Sequence, residues 1–162
     1  MKKKEEKTNV MRILAQHKIP YESHTYDDTE AISGMEVATV LNQDPDQVFK
    51  TLVLTSHSKT NYVFVVPVNK ELSLKKAAAV VHEKSVEMIK SKELLPLTGY
   101  IHGGCSPIGM KKQFKTVFHE TAASFDTIIF SGGKIGYQVQ LHLPDLKKIM
   151  DFELADIVEG SM

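Results

Sequence analysis

Apolar positions recur first with a helical period and then, through most of the chain, in short β-branched runs. Val10 and Leu14 fall on one face of a first helix that Thr8 can cap and that runs to His17. Ile19-Pro20 ends it, because the residue before a proline is pushed out of the helical region. Tyr21 to Tyr26 reads as a short strand. Ser33-Gly34-Met35-Glu36 has capping-box spacing and opens a helix carrying Val37, Val40 and Leu41. Asp44-Pro45-Asp46-Gln47 predicts a helical turn, with Asp44 as N-cap and proline in the first position.

The pattern then changes period. Lys50 to Thr55 and Tyr62 to Val68 are strands, the second strongly β-branched, and the polar turn between them makes an antiparallel hairpin. Leu74 to Val81 suits a short helix, Val86 to Ile89 a strand, and Ser91 caps a helical turn that Pro96 limits. A glycine-rich loop, Gly99 to Gly109, leads to a strand around Thr116 to His119. Thr127 to Ser131 and Gly136 to Leu141 form a second hairpin around Gly132-Gly133-Lys134-Ile135. A last helix opens at Leu143-Pro144-Asp145 and carries Leu146, Ile149 and Met150. Met11, Met35, Met88 and Met150 all fall in apolar patterns and read as core. Strands outnumber helices and neighbours are hairpin-linked. The expected fold is therefore α+β, a mixed and mainly antiparallel sheet flanked by helices rather than a doubly wound parallel sheet.

With 162 residues and no linker, repeat or composition break, residues 1–162 are expected to form one domain. The charged run at residues 1–7 reads as a frayed start to the first helix, too polar for a signal peptide. No apolar stretch approaches the roughly 20 residues of a membrane span. One cysteine, Cys105, excludes an intrachain disulfide and suits a cytoplasmic protein. The 20 basic residues balance the 20 acidic ones. That argues against a general nucleic-acid coat or DNA-binding protein while leaving room for a small basic patch that grips a short piece of RNA.

Three segments could carry chemistry. Lys50 stands where a turn enters an apolar strand. It either binds a phosphate or polarises a carbonyl, or it snorkels to solvent as surface lysines do. In Gly103-Gly104-Cys105-Ser106-Pro107-Ile108-Gly109 the paired glycines bring backbone close to a ligand and turn N–H groups inward; a tight structural turn is the alternative. The segment has neither the Walker ending nor dinucleotide-fingerprint spacing. Ser131-Gly132-Gly133-Lys134 reads as a hairpin loop whose serine could also orient a substrate. Cys105 as nucleophile lacks a histidine at an obvious spacing and reads better as a small half-buried residue. The seven histidines show no metal-ligand spacing, and no cofactor is expected. Lys111, Lys112 and Lys115 make a basic cluster, a solvated face or an RNA contact.

In order and spacing these segments resemble the YbaK branch of the prolyl-tRNA editing family over nearly the whole chain. The match runs through Thr8-Asn9-Val10, Ile19-Pro20-Tyr21, Asp44 to Leu52, Leu74-Lys75-Lys76-Ala77, Val86-Glu87-Met88, Thr98-Gly99-Tyr100, Gly103 to Gly109, Ser131 to Lys134 and Ala155-Asp156-Ile157. The resemblance implies a partly barrel-like mixed-sheet editing domain that removes wrongly charged cysteine from tRNA(Pro) in trans. It implies catalytic roles for Lys50 and Gly103, and substrate contacts for Tyr26, Thr51, Gly104, Ser106, Pro107, Ser131 and Gly132. It also implies RNA contacts for Lys111, Lys112 and Lys134. The implied partners are aminoacyl-tRNA and a synthetase, prolyl-tRNA synthetase among the candidates. No protein nucleophile is needed, since the substrate cysteine's own thiol attacks its ester. Ile135 stands where many members have arginine, Ser33 where some have an aromatic residue, Cys105 where an aliphatic or small residue is usual, and Asn42-Gln43 for a common Gly-Leu. These departures bear on substrate choice rather than on Lys50 or the glycines. The competing readings are a deacylase for another small amino acid such as alanine, a non-catalytic binder of tRNA or a synthetase, and an unrelated small-molecule-binding domain.

Overall fold

The computed structural model describes residues 7–27 and 33–160. The charged run at residues 1–6 lies outside them. Helix α1 (Asn9–Gln16) starts where expected: the Thr8 side chain accepts from the Met11 N–H, and Val10, Met11 and Leu14 are buried on one face. Strand β1 (Glu22–Thr25) follows. Helix α2 (Gly34–Val40) has the complete reciprocal capping box, Ser33 hydroxyl to Glu36 N–H and Glu36 carboxylate to Ser33 N–H. Asp44 starts a single hydrogen-bonded turn, bonding the N–H of Asp46 through its carboxylate and that of Gln47 through its carbonyl.

Strands β2 (Phe49–Ser56) and β3 (Asn61–Pro67) pair antiparallel as the expected hairpin. Helix α3 (Leu74–Val80), strand β4 (Val86–Met88) and helix α4 (Ser91–Thr98) lead to β5 (Lys115–His119). Pro96 sits inside α4 rather than limiting it, and left-handed Gly99 ends the helix. Strands β6 (Ile128–Ser131) and β7 (Tyr137–Leu141) form the second hairpin. The last helix is a 3-10 segment, Leu143–Lys148, and not an α-helix. The chain then adds a strand that periodicity did not reveal, β8 (Glu153–Ala155).

Two sheets result, ordered β4-β2-β3-β5-β8 and β1-β7-β6. Antiparallel pairing dominates, and the parallel pairs are β3–β5 and β5–β8. The parallel bridge Val48–Ile129 joins the sheets, which do not close into a barrel. The larger core packs α1 against both sheets through Val10, Leu14, Phe118 and Phe130. A second lies under α3, around Phe64, Val66 and Val117. Truncating Phe64, Phe118 or Phe130 to alanine would leave a cavity worth about 3–5 kcal/mol. His119 on β5 is buried, and its Nδ1 accepts the Ile157 N–H at 3.3 Å. Together with the Lys76–Asp156 ion pair at 3.0 Å, this holds the C-terminal segment to β5 and α3.

The β6–β7 turn is pinned against α1. Gly133 has φ +94°, and a Cβ there would lie 2.7 Å from Cγ2 of fully buried Val10. Valine is stiff at χ1 and cannot swing aside. Gly133→Ala should therefore cost about 1–3 kcal/mol in urea unfolding; a change within a few tenths would mean that the turn is not seated on Val10.

Candidate functional site

A cleft of about 590 Å³ opens beside β2. It exists because β2 has partners on its outer edge only near its two ends. Val48 bridges to Ile129, Leu54 to Ser56 pair with β4 and Val53 bonds Ile89 just beyond it, while Phe49 to Leu52 have β3 alone. The Val48 carbonyl accepts the Val68 N–H, on the β3 side, and the Val53 carbonyl accepts the Ile89 N–H, on the β4 side. Main-chain groups alternate sides along a strand. The N–H and C=O of Thr51 therefore point into the gap.

Side chains alternate as well, so the cleft wraps around the β2 edge and has two sides. Lys50 shares its face with Val48 and Leu52. Ser131 shares the corresponding face of β6 with Ile129, opposite Gln138 in register. Tyr26 packs beside Val37 of α2, and both line the cleft. The other side holds Thr51, between core residues Phe49 and Val53, with Leu94, Cys105 and Phe130. Gly103 lines the cleft too, at φ +89°.

Lys50 is half-buried, and its ammonium has no hydrogen bond or ion pair among the described residues. Burial holds its pKa below the ordinary lysine value, and the charge of Glu71 only partly opposes this. The Ser131 hydroxyl accepts the Gly133 N–H at 3.1 Å, which leaves its proton to donate. Thr51 Oγ1 is buried without a hydrogen-bond partner among the described residues. Gln138 exchanges amide hydrogen bonds with Gln43 at 2.7 and 3.2 Å. Sequence reading missed Gln138 as a lining residue, although the hairpin register places it beside Ser131.

The glycine loop is tied down at both ends. The buried Tyr100 hydroxyl donates to the Ile108 carbonyl. Gly104 presses on the β6–β7 turn, where a Cβ would sit 3.2 Å from the Ile135 nitrogen. The Gly104 N–H is used internally, bonding the Ile101 carbonyl at 3.0 Å. Those of Gly103 and Cys105 make no hydrogen bond among the described residues. Gly104, Ser106, Pro107 and Gly132 are buried behind the cleft and do not line it. The Ser106 hydroxyl accepts the Ile108 N–H, and Pro107 lines a smaller hollow of about 280 Å³ beside α1. Lys111, Lys112 and Lys134 are exposed outside the cleft.

Burial pushes the Cys105 thiol up to about 12, so it is neutral at physiological pH and a poor nucleophile. Cys105→Ser should accordingly keep the deacylation that the resemblance implies within about threefold of the parent, allowing for modest repacking. Loss of turnover with RNA binding retained would instead make Cys105 the nucleophile.

Comparison with known proteins places this cleft in a family. The aminoacyl-tRNA editing domain matches residues 29–149. A relative from Enterococcus faecalis, named as a candidate Cys-tRNA(Pro)/Cys-tRNA(Cys) deacylase, EbsC, is 43% identical over 96% of this chain and 96% of its own. Among solved structures, a hypothetical protein aligns with TM-score 0.83 at 18% identity, covering 93% of this chain and 99% of that one. A candidate trans-editing enzyme for prolyl-tRNA synthetase aligns with TM-score 0.80 at 21% identity, covering 93% and 95%. These two share the fold. The matched domain spans β2, the glycine loop and the β6–β7 hairpin, three of the segments that line the cleft, and the chain belongs to the aminoacyl-tRNA editing domain family.

Proposed function

We propose that the protein is a trans-acting deacylase that removes cysteine wrongly attached to tRNA(Pro). The observation that carries this is an unpaired, half-buried lysine that lines one cleft with free backbone donors, where the only cysteine is a neutral, buried thiol. The cleft offers an anion site and an oxyanion wall but no activated nucleophile among the described residues. A substrate that brings its own nucleophile fits that chemistry. Its thiol sulfur bonds to the ester carbonyl carbon, the ester C–O bond breaks, and the thiol proton ends on the ribose hydroxyl. A strained thiolactone leaves and is hydrolysed by water. Holding thiol and ester together supplies effective molarities on the order of 10⁵–10⁸ M.

In this reading Lys50 stabilises the developing negative charge or the terminal phosphate, and the Gly103 N–H faces the oxyanion. The Thr51 main chain, the Tyr26 hydroxyl and the Ser131 hydroxyl orient the aminoacyl group. Gly104, Ser106, Pro107 and Gly132 shape the loop from behind. Lys111, Lys112 and Lys134 meet RNA phosphates outside the cleft. Selectivity for tRNA(Pro) comes from a synthetase partner, prolyl-tRNA synthetase, in the cytoplasm where charged tRNA is used. No helix among the described residues is long and apolar enough to cross a membrane.

Release of labelled cysteine from cysteinyl-tRNA(Pro), with alanyl-tRNA(Pro) in parallel, tests the reading. Release from the cysteinyl substrate alone is expected. Equal release from both would make the protein a deacylase for small amino acids generally. Binding without release from either would make it a non-catalytic module.

A further inference from the structure

Two methionines that the apolar pattern assigns to the core stand in solvent instead. Met11 and Met150 are buried, but Met35 is 41% and Met88 49% exposed. Both exposed methionines line the cleft. Met35 comes from the first turn of α2. Met88 ends β4 opposite Leu54, so its side chain lies on the face of β2 that carries Lys50. The cleft therefore has an apolar lip on each of two separate elements, and Lys50 lines it as well. Lys90 continues the Met88 lip with a second positive charge.

Single exposed apolar side chains are ordinary on a protein surface, but two that line one cleft give its mouth apolar contact area for a ligand. The ligand that suits these lips has a flat apolar face and a negative charge. Methionine thioethers pack favourably on aromatic rings, and a nucleotide combines such a ring with a phosphate for Lys50 or Lys90. Size points the same way, because a cysteinyl group fills only part of 590 Å³ and leaves room for a nucleoside. We infer that Met35 and Met88 form a clamp on the terminal nucleobase of the RNA. This rests on the aminoacyl-tRNA reading of the cleft. Thioethers touch the face of the ring and not its hydrogen-bonding edge, so the clamp adds affinity without selecting a base.

The seven methionines allow a direct test with protein carrying ¹³C on the methionine methyl groups. Titration with adenosine 5′-monophosphate should move the Met35 and Met88 signals upfield through the ring current. Met35→Leu and Met88→Leu assign the two signals, and those of Met11 and Met150 should stay in place. Ribose 5-phosphate, which lacks the ring, should shift neither lip upfield. Met35→Ala and Met88→Ala together should raise KM for cysteinyl-tRNA(Pro) about tenfold with kcat little changed, since uniform binding is lost. Absence of the upfield shifts, or an unchanged KM in the double variant, overturns the clamp. Shifts with prolyl-tRNA synthetase and none with the nucleotide would give the lips to a protein and overturn it too. Upfield shifts in a protein that deacylates nothing would sink the proposed function and leave the clamp standing.

Discussion

Lys50→Met should reduce deacylation by at least about 10²-fold, the loss expected when one group facing the developing charge is removed, while leaving the protein no less stable. Methionine keeps an unbranched stem at this position, opposite Val66 on β3, and discards the ammonium. Burial lowers the Lys50 pKa, so the fold disfavours the charged form relative to the unfolded chain. The sign follows. Below the folded-state pKa both states are protonated and the penalty is fully present. It fades as pH rises through the folded value toward the unfolded one, near 10.4. The variant should melt at the same or a higher temperature than the parent at pH 7, and its advantage should shrink by pH 10. A lysine kept for stability would behave in the opposite way. Near-normal turnover in the variant would remove Lys50 from the chemistry, and a lower melting temperature would mean that its attraction to the Glu71 charge outweighs burial.

Local signals were legible because their physics is local. Thr8 caps α1, Ser33 and Glu36 close the capping box, and the two hairpins form where turn residues separate β-branched runs. Strand β8 was not legible. It is three residues long, half exposed, and becomes a strand only because β5 offers an edge to it. The segment Leu143–Lys148 has helical starting signals but winds as 3-10, with the Ile149 N–H closing on the Leu146 carbonyl before the chain turns toward β8.

The site divides in the same manner. Lys50 and Thr51 being neighbours on a strand already implies opposite faces. That both faces belong to one cleft depends on β4 and β6 reaching β2 at its two ends and leaving the middle open, a pairing between distant segments. Met35 and Met88 fit apolar periods and so read as core. Only the gap in the ladder puts them at its rim. The glycine loop shows the converse: its composition marked it, yet of Gly103 to Pro107 only Gly103 and Cys105 line the cleft, the rest serving to hold it in place.

The larger effect should come from changing the substrate rather than the protein. Seryl-tRNA(Pro) differs from cysteinyl-tRNA(Pro) by oxygen for sulfur, a change that a half-apolar cleft discriminates by no more than about 10²-fold through fit alone. If the substrate side chain is the nucleophile, the difference must be far greater. A thiol with pKa near 8.5 is a few per cent ionised at pH 7, whereas an alcohol is not measurably ionised. Cysteine release should exceed serine release by more than about 10³-fold, beyond what the pocket can supply. The cysteinyl rate should also climb about tenfold per pH unit below the thiol pKa and level off above it. With Cys105 held near 12, no group on the protein's own cysteine accounts for a plateau near 8.5. A flat profile from pH 6 to 9, or serine release within about tenfold of cysteine, would mean that water attacks directly; Lys50 and the Gly103 N–H would then act on a hydrolytic oxyanion, and the cleft would sort amino acids by size alone.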